Sequence, residues 1–174
     1  MGGGMSAKRA LGSVPLKIGL MVPANNTTME IELAAWLPAG STVTTVKIPR
    51  GPGLLTKETL PAYRDSAIAL ARTHFASGAV DLVAYGCTAA GFLFGPAGDA
   101  ELSAMLSEAT GLPVVTVARA MVRAAEEAGV RSVYFDDPAE AGEFARSVAR
   151  PGDAVLFKGS RGVKVERALE RFLA

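Results

Sequence analysis

From Leu16 onward the chain alternates short apolar runs with longer segments whose apolar residues recur at three- and four-residue steps, and no other feature restricts its fold as much. A short run rich in Val and Ile reads as a buried strand, and a 3.6-residue period reads as a helix with one apolar stripe. Alternating the two gives βα units, in which each helix returns the chain across the sheet and successive strands pair in parallel. The expected strands are Lys17–Val22, Thr42–Ile48, Asp81–Tyr85, Val114–Val117, Ser132–Phe135 and Ala154–Phe157. The expected helices are Thr28–Trp36, Lys57–Ala76, Ala100–Ala109, Ala118–Ala128, Pro138–Ala149 and Val163–Leu173. The class is α/β, a three-layer α/β/α sandwich around a mainly parallel, doubly wound sheet of about six strands.

Turn residues punctuate the units where this reading needs them. Gly111-Leu112-Pro113, Ala128-Gly129-Val130 and Pro151-Gly152-Asp153 each stop a helix ahead of an apolar run. Residues 1–14 begin with the glycine-rich Met1-Gly2-Gly3-Gly4 and are expected to form a disordered tag or leader, leaving 15–174 as one α/β domain. With 49% apolar residues, 20% charged residues and a net charge of +1, the chain suits a globular core and offers no basic footprint for nucleic acid or an anionic membrane. It lacks the roughly 18 uninterrupted apolar residues of a membrane span, and its single cysteine cannot form an internal disulfide. A cytoplasmic monomer or homodimer is the expected state.

In doubly wound sheets ligands bind beyond the carboxyl ends of the strands, so the residues that follow each strand carry the functional reading. Cys87 lies in Val83-Ala84-Tyr85-Gly86-Cys87-Thr88-Ala89-Ala90-Gly91, where an apolar run stops at small and hydroxylated residues. A thiol at a strand end ahead of a helix start is in the setting that activates cysteine as nucleophile, acid or base. The alternative is a buried cysteine serving as a small hydrophobe. After the first strand, Asn26 and Thr27 can hold a carboxylate or cap the following helix. Arg50, in Pro49-Arg50-Gly51-Pro52-Gly53, can reach a substrate carboxylate or face solvent. Lys158, Gly159, Ser160 and Arg161 form a weak anion-binding turn without the full phosphate-loop spacing. His74 has no metal-ligand cluster around it, and no metal or cofactor is implied.

Three of these stretches carry a family resemblance. Val22-Pro23-Ala24-Asn25-Asn26-Thr27-Thr28-Met29-Glu30, Val83-Ala84-Tyr85-Gly86-Cys87-Thr88 and Thr110-Gly111-Leu112-Pro113-Val114-Val115-Thr116 resemble the N-terminal half of the aspartate/glutamate racemase superfamily, particularly maleate cis-trans isomerases and arylmalonate decarboxylases. The resemblance implies that Asn26 binds a substrate carboxylate, that Cys87 is one of a pair of active-site positions, and that Thr88 and its backbone hold the oxyanion. It also implies cofactor-independent chemistry on a small carboxylate, between two α/β halves of which the second is missing here.

A second run, Arg150-Pro151-Gly152-Asp153-Ala154-Val155-Leu156-Phe157-Lys158-Gly159-Ser160-Arg161-Gly162 followed by Glu166, resembles the C-terminal end of the Mur ligase that adds D-alanyl-D-alanine. Together the two resemblances imply a recombined or engineered chimera, joined near residues 128–130, in which residues 131–174 complete the sheet. Its expected function is a folded domain without efficient catalysis that retains a half-site for a small carboxylate. The alternatives are a cysteine-dependent isomerase, racemase or decarboxylase of small dicarboxylates, with a site shared in a homodimer, and a dimerising interaction module.

Overall fold

The structure, a computed structural model, describes residues 14–51, 53, 55–75, 78–130, 133, 135–157 and 164–174. Four strands, β1 (Lys17–Pro23), β2 (Thr42–Ile48), β3 (Leu82–Tyr85) and β4 (Val114–Thr116), form a wholly parallel sheet in the order β2-β1-β3-β4. The helices are α1 (Met29–Trp36), α2 (Leu60–His74), α3 (Thr88–Phe92), α4 (Gly95–Thr110), α5 (Val117–Glu127), α6 (Pro138–Val148) and α7 (Glu166–Leu173).

The chain steps from β1 outward to β2, then turns back past β1 to β3 and β4. Right-handed crossovers therefore place α1 on one face of the sheet and α2 and α4 on the other. The direction of winding reverses between β1 and β3, and a crevice opens beyond their carboxyl ends.

The register shows how the core is made. Val46, Met21, Tyr85 and Thr116 stand side by side across the four strands and are all buried. They meet Leu60, Tyr63, Ala67 and Ala71, the buried stripe of α2, and Leu102 and Leu106 of α4. Fully burying side chains such as Met21, Leu60 and Leu106 stabilises by roughly 1.5–3 kcal/mol each. The alanines of α2 keep that helix close to the sheet. Gly19 does the same locally, since a Cβ there would lie 2.8 Å from the ring of Phe75.

Helix ends follow their local chemistry. Thr56 and Thr59 exchange side-chain bonds ahead of α2, where Thr59 Oγ1 accepts from the Thr56 amide at 2.9 Å, and Pro61 occupies its first turn. These turn residues explain why the helix starts at Leu60 rather than at Lys57. Gly111, at φ 71°, ends α4 in the left-handed conformation, with its amide on Ser107 O at 2.8 Å.

Among the described residues the sheet holds four strands rather than the six expected. Residues 153–157 are irregular, with Val155 40% and Leu156 82% exposed, and among the described residues the apolar run there has no neighbouring strand to pair with. The expected strand at Ser132–Phe135 lies partly outside the described residues, and Val133 and Phe135 belong to no ladder. Beyond α5 the described chain is organised by the pairing of α6 with α7. Gly142 of α6 meets the backbone of Ala168 in α7, Phe157 packs edge-on against Phe172, and Arg167 pairs with Asp137 at 3.3 Å.

Candidate functional site

Cys87 sits at the carboxyl end of β3, next to the point where the winding reverses. The Gly86 amide donates to Met21 O at 2.8 Å, so the β3 ladder extends one residue past the strand before the chain turns into α3. Cys87 is the N-cap of α3, in extended conformation, and is 6% exposed. Period-two alternation puts its side chain on the same face as Val83 and Tyr85, and it joins the core cluster with Tyr63 of α2.

Two tyrosines share the core cluster with the thiol. Tyr63 and Tyr85 are 6% and 1% exposed, and neither buried hydroxyl completes a hydrogen bond among the described residues. Leaving such a group unpaired costs roughly 1–3 kcal/mol, and its retention needs an explanation. Burial raises both hydroxyls well above the ordinary tyrosine pKa, and the adjacent Cys87 thiol adds to the effect. At Tyr63 the Arg50 guanidinium opposes the rise. Tyr63 is also in the wall of a pocket of about 430 Å³ between the β2–α2 loop and the start of α2, together with Arg50, Glu58, Thr59 and Ser66.

The β1–α1 loop forms the other side of the crevice. Asn26 Oδ1 accepts from the amides of Thr28 and Met29 at 3.1 and 3.0 Å, so this oxygen caps α1. No hydrogen bond among the described residues is formed by its Nδ2. Lys47 of β2 holds the loop from below, donating to Asn26 O at 2.6 Å and pairing with Glu30 at 3.1 Å. Thr27 and Thr88 are exposed at the two strand ends. Met29 bridges the loops, with its sulfur packed directly over Gly86.

The structure thus brings Cys87, Thr88, Asn26 and Thr27 to the ends of adjacent strands, without a direct bond between the Asn26 side chain and the thiol. Arg50 lines the neighbouring pocket, where its Nη2 donates to Gly53 O at 3.3 Å. The expected anion-binding turn, Lys158, Gly159, Ser160 and Arg161, lies outside the described residues. Among the described residues no cluster of three or more His, Cys, Asp or Glu side chains is placed to hold a metal ion, and no helix is long and apolar enough to cross a membrane. Sequence reasoning missed Lys47, Tyr63 and Tyr85. Tyr85 was legible as the residue two before Cys87 on one strand face, whereas Tyr63 reads from sequence only as one more core position of α2.

Comparisons with known proteins bear on the same segment. Residues 18–139 match the family model described as arylmalonate decarboxylase. A crystal structure of arylmalonate decarboxylase is 27% identical, with a TM-score of 0.54 over 66% of this chain and 47% of that one. A variant of arylmalonate decarboxylase in a sulfate-associated form is 26% identical, with a TM-score of 0.53 over 90% of this chain and 72% of that one. A Nocardia farcinica maleate cis-trans isomerase with a covalently bound succinylcysteine intermediate, 21% identical, shares the fold with a TM-score of 0.50 over 63% of this chain and 47% of that one. The chain spans about half the length of most of these solved relatives. No curated protein matches it. The Mur ligase resemblance of the C-terminal run and the expected chimera are not shown by these comparisons, and one arylmalonate decarboxylase structure aligns over nine-tenths of the chain. With its family model spanning most of the sequence and the matching sheet around Cys87, the chain belongs to the arylmalonate decarboxylase family.

Proposed function

We propose that this chain works as a cofactor-independent decarboxylase or isomerase of small dicarboxylates, with Cys87 as the group that carries the proton. The supporting observation is the position of the thiol, the only one in the chain, at the end of β3 beside the reversal of winding. Decarboxylation of a malonate breaks the bond to one carboxylate and releases CO₂, leaving the electron pair on an enediolate. The Cys87 S–H protonates the α-carbon, and the resulting thiolate recovers its proton from water. Thr88 and backbone amides at the start of α3 would take the charge of the enediolate oxygens, and the Asn26 Nδ2 and Thr27 hydroxyl the remaining carboxylate.

A second part of the proposal is that a second copy of this chain closes the site, where Thr27 and Thr88 stand exposed at the strand ends. The test is CO₂ release from an arylmalonate, and interconversion of maleate and fumarate, by the chain and by Cys87→Ala at several protein concentrations. Turnover that rises per subunit with concentration and falls at least a hundredfold in Cys87→Ala is expected. Equal turnover in both proteins eliminates the thiol mechanism, and turnover per subunit that does not depend on concentration in a strict monomer eliminates the shared site.

A further inference from the structure

Every hydrogen-bonding group of Asn26 but one is engaged around the β1–α1 loop. Its amide donates to Pro23 O at 2.9 Å, its carbonyl accepts from Lys47 Nζ at 2.6 Å, and Oδ1 accepts from the amides of Thr28 and Met29. Backbone amides only donate, so the capping atom is the oxygen, and the flat side-chain amide turns Nδ2 away from the helix it caps. What is left, among the described residues, is a pair of N–H donors on a half-buried side chain just beyond the end of β1. Two parallel donors with no acceptor beside them fit a carboxylate.

Of the contacts that fix Asn26, the one from Lys47 comes from a neighbouring strand. Lys47 stands opposite Val22 in the register of β1 and β2, and its ammonium spans Asn26 O and the Glu30 carboxylate, the latter at 3.1 Å. A charge-assisted bond of this kind is stronger than the neutral bonds within the loop. We propose that Lys47 is a positioning residue, which pins the Asn26 backbone to β2 and so holds Nδ2 in place for a substrate carboxylate. Glu30 neutralises the ammonium, so the lysine acts through Asn26 rather than on the ligand. The assignment rests on Asn26 receiving a carboxylate in the proposed reaction, and it adds the residue that sets that donor in place.

Succinate is the probe, since it has neither two carboxylates on one carbon nor a double bond and binds without being turned over. Lys47→Met, with a thermal melt to check the fold, is expected to bind succinate about tenfold more weakly and to raise the KM for phenylmalonate about tenfold with kcat nearly unchanged. The weakening should persist at about 0.5 M salt, because screening does not restore a displaced donor. Lys47→Arg, which keeps a charged donor for Asn26 O, should recover most of the affinity. Asn26→Asp retains the capping oxygen and replaces the donors by a negative charge. It should abolish succinate binding while the Thr28 and Met29 amides exchange as slowly as in the parent. Unchanged succinate affinity in Lys47→Met overturns the proposal, and so does a loss that vanishes at high salt, the mark of a charge acting at a distance. A parent chain that does not bind succinate overturns it as well. A parent that binds succinate with this dependence on Lys47 but turns over no dicarboxylate refutes the catalytic reading and leaves the clamp on Asn26 standing.

Discussion

The sulfur of Met29 occupies the space that a side chain at Gly86 would need, so the start of α1 is packed against the backbone that delivers Cys87. A methyl group at residue 86 would also lie 2.9 Å from Val22. Gly86→Ala therefore has to displace the Met29 thioether and crowd Val22. The expected cost is about 1–3 kcal/mol, typical of overpacking in a close-packed region, read from the denaturant midpoint. An alanine variant as stable as the parent would show that Met29 moves aside freely.

A second prediction concerns the anchor of α4. Thr116, in the buried row across the sheet, donates to Asp99 Oδ2 at 2.6 Å. Thr116→Val keeps the shape and removes the donor. Leaving a buried acceptor without its donor costs roughly 1–3 kcal/mol, and a loss of that order is expected in chemical unfolding. A change below about 0.5 kcal/mol would mean that the other partners of Asp99 already satisfy it.

The Lys47–Glu30 pair predicts a pH dependence of known sign. Hydrogen bonds from Lys47 and Thr45 hold the Glu30 carboxyl below its ordinary value of 4.5. A carboxyl whose pKa is lower in the folded than in the unfolded chain adds stability above the unfolded value, and that stability disappears as pH falls through the folded one. Lys47→Met should raise the Glu30 midpoint toward 4.5 in a carboxyl NMR titration, and acid unfolding should begin at higher pH. An identical Glu30 titration in both proteins would refute the pairing.

The helical pair at the C-terminus depends on another glycine. A Cβ at Gly142 would collide with the carbonyl of Ala168, and backbone cannot rotate out of the way. Gly142→Ala should separate α6 from α7 and cost about 1–3 kcal/mol. Amide exchange in α7 should rise while exchange in β1 stays unchanged. Simultaneous loss of protection in both elements would show that the pair unfolds only with the sheet.

The legible part of the fold is the part whose signal is local. Strands β1 and β2 fall within a residue of their expected bounds, and α6 starts at the expected Pro138, because Asp137 accepts from the Ala139 amide at 2.9 Å and caps it. The strand expected at Ala154–Phe157 and the helix α3 were not legible, each for its own reason. Residues 153–157 have the composition of a strand, but a strand exists only with a partner, and pairing is not a property of the segment itself. The short helix α3 carries Thr88, Ala89, Ala90 and Gly91, too small and too few to show a period. At the site, the strand-end logic pointed to Cys87, Asn26, Thr27 and Thr88, which the structure places after β1 and β3, whereas Tyr63 shares the core with Cys87 only through the way α2 lies on the sheet. Lys47 was hidden for a similar reason, since its contact with the Asn26 loop follows from the pairing of Lys47 with Val22 in the register of β1 and β2.

One residue of α1 gives the molecule an optical reporter. Trp36, the only tryptophan in the chain, ends that helix with 65% of its surface exposed. Its fluorescence therefore reports on the exposed C-terminal end of that helix. Emission that is red-shifted and readily quenched by acrylamide belongs to a bare α1, and a blue shift on concentrating the protein would mark the moment another body settles over it.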